Sequence, residues 1–275
     1  MSAVTVPDAS ADPRAPAAWA RARAGGLGPP VVAGLVLLAV WEGLLVLLQP
    51  EGFLLPRPSA IASSLVENFP AIWTAAKSTG FVAVTGLAGG VSLGVLAALL
   101  TTRFRTAQET LTPLAVAVNA MPIIALAPLA NAWFGSLSPR SNQVVVVTVT
   151  FFPVFINTAR GLTRVAPIQL ELLRSYAATE WTITREARIP NALPFFFTAL
   201  KIVASLAVIA AIVDEYFGGP QSALGPLIVQ RAGLSRYDDA WAAVTAGAAM
   251  GITLYLVAVG LERWLAPWQA ARSEG

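Results

Sequence analysis

The sequence contains no cysteine and no histidine, and only 12% of its 275 residues are charged. The missing residue types exclude a thiol nucleophile, a disulfide framework, a zinc site of the usual Cys/His kind and a histidine acid–base catalyst. A typical soluble domain carries roughly a quarter charged residues, whereas 56% of this chain is hydrophobic. We therefore set aside a water-soluble enzyme and expect a protein embedded in lipid.

Six apolar stretches are each close to the length needed to cross a membrane. The hydrocarbon core requires about 20 mainly apolar residues in helical form. Backbone groups in lipid must find their hydrogen bonds within the segment, and the alternating pattern of a membrane barrel is absent. The sequence thus predicts an all-α membrane protein with six transmembrane helices, near residues 31–49, 79–101, 111–134, 143–160, 194–216 and 240–262.

The distribution of lysine and arginine predicts the orientation of these spans. If the N-terminus lies inside, twelve of the 18 basic residues fall in inside segments and five in outside loops, with Lys201 in the fifth span. The positive-inside rule then places both termini in the cytoplasm. We expect a disordered cytoplasmic tail at 1–28, a six-span domain at 29–267 and a cytoplasmic C-terminal tail at 268–275.

Small residues recur at every fourth position in the second and sixth spans. Such rows let helix backbones approach closely in lipid, where no hydrophobic force drives association. We favour packing within the chain, with a subunit interface as the alternative. The rows are Gly86, Gly90, Gly94 and Ala98, and then Ala243, Gly247 and Gly251.

The third span holds three prolines, which remove backbone donors and clash with the preceding turn. We expect a kinked or broken helix. This suits a transport pathway lined by protein or water, and an ordinary fixed kink is the alternative. The residues are Pro113, Pro122 and Pro128.

Several polar or adaptable residues inside the spans are candidates for a translocation path. Glu42 would cost roughly 2.5–3.5 kcal/mol in mid-membrane, so it must face protein, water or a partner. We favour a structural polar contact for Glu42 over contact with a ligand. Asn119, Asn131 and Asn157 would bond between helices or touch a ligand, and the flexible Met121 would form a soft gate.

Two carboxylates and one amine lie near the ends of the fifth span. Asp214 and Glu215, at its outer end, would repel anions, contact a binding protein or cap a helix locally. Lys201 lies about two turns into the same span and is expected to snorkel to the inner surface.

The longest inside loop, residues 161–193, has the pattern of folded structure rather than of a linker. Pro167 is suited to the first turn of a helix, where its missing donor has no cost. Apolar residues follow at helical spacing and form one stripe. The stripe consists of Ile168, Leu172, Leu173, Tyr176 and Ala177.

A second short helix is predicted after this one. Thr179 is suited to cap it, and it would hold Trp181 and run toward Ile189. Pro190 and Pro194 are expected to break the chain before the fifth span. An amphipathic helix pair outside the membrane must bury its apolar face, either on the chain's own helix ends or on a separate cytoplasmic protein.

The segment Glu171-Leu172-Leu173, with Ala177 and Ile189-Pro190, resembles the EAA loop of ATP-binding-cassette importer permeases. That motif reads Glu-Ala-Ala, three residues, Gly, nine residues, Ile, any residue, Leu-Pro. Glu171 and Pro190 match it, and Ile189 takes the place of Leu. The departures are Leu172 and Leu173 for the two alanines, Ala177 for Gly and Ala187 for Ile.

Other segments are similar to the nitrate/sulfonate/taurine branch of these permeases, which also includes permeases for pyrimidine precursors of thiamine and for riboflavin-like compounds. The similarity extends over about residues 40–260 and does not select one solute. It is carried by residues 53–59, 124–129, 133–135, 151–153, 157–158, 192–194, 215–217 and 224–225.

The resemblance implies the type I importer permease fold and a non-catalytic membrane subunit. Two copies would line a path, two cytoplasmic ATP-binding subunits would drive it, and an extracytoplasmic binding protein would deliver the solute. The chain lacks the phosphate-binding Gly-x-x-x-x-Gly-Lys-Ser/Thr loop, so ATP and Mg would be bound by the partner. We expect no cofactor, metal or nucleic acid on this chain.

The same resemblance places the contact with the ATPase in the loop at 168–190. Apolar residues would anchor it and charged residues would form the rim. The anchors are Leu172, Leu173, Tyr176 and Trp181, the rim residues are Glu171, Arg174 and Arg185, and the motif positions Ala177 and Pro190 complete the set.

Three other functions fit the sequence less well. A secondary transporter or channel without an ATPase would show charged relays and inverted repeats, and neither is evident. A membrane scaffold would explain the rows of small residues but not the spacing in the loop. A membrane enzyme would need a nucleophile–base pair or a metal cluster, and the sequence offers no such cluster.

Overall fold

In the computed structural model, the described residues are 28–48, 55–104, 109–110, 113, 117, 123–135 and 138–267, and these ranges contain helices and no β-strand. Five helical stretches within them are long and apolar enough to cross a membrane. Four are the single helices α1 (Gly28–Leu48), α3 (Phe69–Arg103), α5 (Pro139–Thr163) and α10 (Tyr237–Leu265). The fifth combines α7 (Glu180–Ile183), a π-helical turn (Thr184–Arg188) and α8 (Ile189–Glu215).

Four shorter helices complete the described fold. They are α2 (Pro58–Glu67) after the first span, α4 (Ile123–Phe134), α6 (Pro167–Ser175) in the long loop and α9 (Leu224–Gly233) between the last two spans. We call the end of the bundle that carries α6 the loop end, and the end that carries α2 and α9 the opposite end.

The predicted third span lies partly outside the described residues. Helix α4 forms the second half of this span, and the helix continues through Pro128 without a break. Pro122 is outside the description, as are the tail at residues 1–27 and the C-terminal residues 268–275. The six-span prediction and the orientation of the termini therefore stay predictions.

Helices α5 and α8 form the centre of the bundle, and α3 packs on α5 through its row of glycines. A Cβ atom built on Gly86 would lie 2.6 Å from the Cβ atom of Val146. One built on Gly94 would lie 2.9 Å from the carbonyl oxygen of Phe151. Ala98 continues the row and is fully buried. The interpretation as packing within the chain is confirmed for this row.

The second row of small residues, on α10, faces α8 in the same chain. A Cβ atom on Gly247 would lie 2.7 Å from Cδ1 of Ile212, and Ala243 is buried. The preferred interpretation is therefore confirmed here as well.

Helix α1 is held to the rest of the chain at only a few points. Leu45 is its one buried residue. Trp41 contacts Trp241 of α10 edge to face, with ring centroids 6.2 Å apart. Since nearly all of its apolar surface is exposed in the single chain, α1 presents that surface to lipid or to neighbouring protein.

Pro190 and Pro194 do not break the chain, and that prediction was wrong. The backbone is helical without interruption from Glu180 to Glu215. The π-helical turn ends at Arg188, two residues before Pro190, and the N–H of Ile189 bonds to the carbonyl of Thr184. This wider turn relieves the clash between a proline ring and the preceding turn, and Pro190 then takes the first turn of α8, where no donor is needed.

Candidate functional site

The loop helix α6 presents its apolar stripe to the exterior. It begins at Pro167, as predicted, and contains no buried residue. The side chains of Leu172 and Tyr176 are 55% and 77% exposed. An apolar helix face that the described part of its own chain leaves uncovered is typical of a docking surface for another protein.

Ala177 ends α6 in a left-handed conformation with φ of 54°. The N–H of Ala178 donates to the carbonyl of Leu173 at 3.1 Å, and the N–H of Ala177 donates to that of Arg174 at 2.9 Å. This is the Schellman ending, whose left-handed position strongly prefers glycine. The EAA motif, which the loop resembles, has glycine at this position, and glycine is the residue that suits this conformation best.

The second short helix follows as predicted. The Thr179 hydroxyl accepts a hydrogen bond from the N–H of Thr182 and caps α7. Trp181 is 71% exposed, whereas Ile183 on the same helix is buried and fixes it to the bundle. Trp181 is therefore a second exposed apolar side chain of the loop, beside those of α6 in the sequence.

A cleft of about 340 Å³ separates α6 from the start of α8. Leu172 and Leu173 line it on the α6 side, and Ala187 and Pro190 line it on the other. Asn191 also lines it and donates to the carbonyl of Gly161 at 2.7 Å, which joins the beginning of α8 to the end of α5. The cleft leaves α6 room to shift against the spans.

The charged residues of the loop form ion pairs of unequal exposure. Glu180 lies 3.9 Å from Arg174 and 3.4 Å from Arg188. Arg185 pairs with Glu186 at 3.6 Å, and both side chains are largely exposed. Glu171 is also exposed. The expected rim residues are thus at the surface, while Arg188, which the sequence did not single out, is nearly covered.

Glu42 makes a structural contact, which was the favoured interpretation. Its carboxylate accepts hydrogen bonds from the Ser59 N–H at 3.0 Å and from the Ser59 hydroxyl at 2.7 Å. Ser59 lies in the first turn of α2, whose N-cap residue Arg57 makes no side-chain cap bond. Glu42 therefore caps α2 from the neighbouring span.

The asparagine candidates for the path bond to protein groups. The Asn157 amide donates to the carbonyl of Pro153 in its own helix at 2.8 Å. Asn131 accepts from the Ser141 hydroxyl and donates to the carbonyl of Phe217, so it joins α4, α5 and the end of α8. Asn119 and Met121 lie outside the described residues.

Asp214 and Glu215 are buried, with 0% and 2% of their surface exposed. Contact with a binding protein requires an accessible side chain, and the fold of the single chain covers both of them. Glu215 instead accepts hydrogen bonds from the Thr79 hydroxyl at 2.9 Å and from the Gly225 N–H at 3.0 Å. Of the roles considered, these contacts support the local cap.

Lys201 pairs with Glu262, three residues before the end of α10 at the loop end, and the expected snorkelling to the inner surface stays a prediction. Its amine lies 3.1 Å and 2.9 Å from the two carboxylate oxygens. A pair of opposite charges satisfies both groups within the bundle, which is cheaper than exposing either to lipid.

A second network at the opposite end was not predicted. Asp239 accepts hydrogen bonds from Ser64 at 2.6 Å and Asn68 at 3.0 Å, and it pairs with Arg231 and Arg236. It joins α2, α9 and α10. No local pattern relates Asp239 to Ser64, since they are 175 positions apart.

Residues 90–270 match the family described as binding-protein-dependent transport system inner membrane component. A formylaminopyrimidine transport permease protein of Halalkalibacterium halodurans is 32% identical over 243 residues, which cover 87% of this chain and 95% of the relative. A riboflavin transport system permease protein of Chloroflexus aurantiacus is 29% identical over 247 residues, covering 89% and 91%. Permease proteins named for aliphatic sulfonates and for nitrate import also match.

The fold is similar to that of a chain from an amino acid ABC transporter solved with histidines. The TM-score is 0.60 at 17% identity, and the alignment covers 73% of this chain and 96% of that chain. At this identity the likeness concerns the fold alone.

Proposed function

This chain belongs to the family of binding-protein-dependent transport system inner membrane components and is a permease component of an ATP-binding-cassette importer in the cytoplasmic membrane, and from this we propose that α6 and α7 couple it to a cytoplasmic ATPase. Two copies would enclose the path, and two ATP-binding subunits would bind ATP and Mg.

One observation supports this proposal above the others: the apolar side chains of the loop are exposed. Leu172, Tyr176 and Trp181 are each more than half exposed, on helices that project from the bundle. Aromatic and apolar residues of this kind are the usual anchors at the centre of a protein interface. The charged Glu171, Arg174 and Arg185 surround them and suit the polar rim of such an interface.

We place the loop end of the bundle in the cytoplasm. Arg160, Arg164, Arg174 and Arg185 all lie at this end, and the positive-inside rule favours a cytoplasmic location for such a cluster. The binding protein would then meet the opposite end. There α2 and α9 carry the exposed Val66 and Val229, and the Asp239 network holds the two helices to α10.

For the solute, we favour a nitrogen heterocycle over an inorganic anion. The relatives at 32% and 29% identity are named for a formylaminopyrimidine and for riboflavin, whereas a nitrate permease matches at 26% over 69% of this chain. The importer, reconstituted with its ATPase and binding protein, should hydrolyse ATP faster with riboflavin or formylaminopyrimidine and not with nitrate. Stimulation by nitrate alone would contradict this choice.

The docking surface is tested by capture of the ATPase. We would co-purify the chain with ATP-binding subunits before and after the replacements Leu172→Asp and Tyr176→Asp. Both side chains would be buried in the interface with the ATPase. Their loss should therefore weaken binding by roughly 2 kcal/mol or more, about thirtyfold.

The control is Leu234→Asp, which introduces one such negative charge at a residue 63% exposed at the opposite end. It should leave capture of the ATPase unchanged. Equal capture by the loop variant and the control would contradict the proposed surface.

A further inference from the structure

Arg188 connects the loop helices to a span that is not their neighbour in sequence. Its Nη1 donates to the carbonyl oxygen of Thr102 at 3.4 Å, and its Nη2 lies 3.4 Å from the Glu180 carboxylate. Thr102 is in the last turn of α3, and Glu180 is the first residue of α7. The side chain of Arg188 is only 17% exposed.

The contact with Thr102 fulfils a physical need of α3. The last four carbonyl groups of a helix have no partner within it, and they carry the negative end of the helix dipole. An arginine presents several donors in a fixed planar arrangement, so one guanidinium can bond a carbonyl on one side and a carboxylate on the other.

The position of Arg188 in the chain makes this contact significant. It is the last residue of the π-helical turn, and α6 has no buried residue that would fix it to the bundle. The cleft between α6 and α8 also leaves space for displacement. A push on α6 would therefore bend the chain near the turn unless a side chain held the loop helices to the spans.

We propose that Arg188 is a positioning residue that makes the loop helices and the α3–α5–α8 bundle move as one rigid unit, by tying Glu180 to the end of α3. This inference rests on the proposed coupling to an ATPase. Arg188 occupies the position where the EAA motif accepts any residue, so the motif assigns it no role. Glu180 also lies near Arg174, which extends the polar connection from α6 to α3.

The test uses single spin labels in the complete importer, with ATP, Mg and vanadate as the trapping probe. The chain has no cysteine, so one introduced cysteine labels one position in each copy. Ala166→Cys reports the distance between the two α6 helices. Phe104→Cys, at an exposed residue directly after α3, reports the distance between the two α3 ends.

With Arg188 present, trapping should change both distances. With Arg188→Gln, the α6 distance should still change, while the change between the α3 ends should fall roughly fivefold or more, the lower range of coupling effects. An undiminished change at α3 in this variant would overturn the proposal, as would a wild-type importer whose α3 ends do not move. Absence of any change at α6 in the wild type would instead contradict the coupling function itself.

Two further variants distinguish the loss of the Arg188 contacts from other effects of the substitution. Arg160→Gln removes the same charge from the exposed end of α5 and should behave as the wild type. The exchange of Glu180→Arg with Arg188→Glu restores the ion pair, but a carboxylate cannot donate to the Thr102 carbonyl. The variant with both exchanges should still bind the ATPase, but the distance between its α3 ends should not change on trapping. Full recovery of the α3 movement would overturn the proposal.

Discussion

The Glu215 carboxylate and the Thr79 hydroxyl are bonded at 2.9 Å in the interior of the bundle, 136 positions apart in the chain. Thr79 in turn accepts a hydrogen bond from the N–H of Leu224 at 2.9 Å. Together they satisfy the first two N–H groups of α9, whose N-cap residue Ala223 has no side chain to do so. Glu42 likewise accepts a hydrogen bond from the N–H of Ser59 in the first turn of α2. Both short helices at the opposite end are thus capped by carboxylates from the spans.

Thr79→Val should destabilise the protein. The isosteric replacement leaves the Leu224 N–H and one bond of Glu215 without a partner, at a cost of about 1–3 kcal/mol for a buried polar group. The midpoint of thermal unfolding in detergent would measure the loss. Thr74→Val is the control, since the Thr74 hydroxyl is exposed and bonds only its own helix; equal midpoints for the two variants would contradict the capping role.

Ala177→Gly should stabilise the end of α6. A left-handed conformation costs an L-residue roughly 1–2 kcal/mol that glycine does not incur, and a part of this gain is offset by the greater freedom of glycine when unfolded. Amide hydrogen exchange at residues 173–178 should slow by roughly threefold or more, equivalent to about 0.7 kcal/mol. Ala178→Gly, at a residue without positive φ, should give no gain, and faster exchange in Ala177→Gly would contradict the argument.

Gly90→Ala should prevent the close approach of α3 and α5. The added Cβ atom would overlap the Thr150 hydroxyl and lie 2.8 Å from the carbonyl oxygen of Val147. Because backbone atoms cannot rotate away, the helices must separate, at a cost of roughly 3 kcal/mol or more. The yield of folded protein on size exclusion should fall sharply, whereas Gly260→Ala, with no atom near its Cβ position, should retain it.

Lys201→Met should lower the stability of the protein more when it is made alone than when it is combined with Glu262→Met. Removal of one partner leaves the other charge without its partner at a partly buried site, at a cost of about 1–3 kcal/mol, while an apolar replacement of both is often close to neutral. A double-mutant cycle on thermal unfolding measures the difference. Additive losses would show that the two residues act independently.

The spans and the loop helices could be predicted from sequence because their signals are local. The length of an apolar run, the proline before α6 and the threonine before α7 each act within one or two turns. The end of α6 was not predicted, because the apolar stripe includes Tyr176 and Ala177 whereas the helix ends at Ser175. The start of α3 at Phe69, ten residues before the predicted span, was missed because Lys77 and Ser78 interrupt the apolar pattern just before that span.

The continuity of the helix through Pro190 could not be predicted, because a proline beside an ordinary α-turn does break or kink a helix. It depends on the wider π-helical turn, which forms where Arg188 and Ile183 are held by the bundle. The same applies to the burial of Asp214 and Glu215, which follows from the position of α9 over the end of α8.

The sequence alone determined that this protein is helical, that it lies in a membrane and that one loop carries an apolar helix, because composition and local spacing suffice for those conclusions. Only the tertiary structure decided which polar partner each charged side chain meets: Ser59 for Glu42, Thr79 for Glu215 and Glu262 for Lys201. Such pairs depend on which helices are adjacent and how they are rotated and shifted along each other, and packing over the whole chain sets those relations.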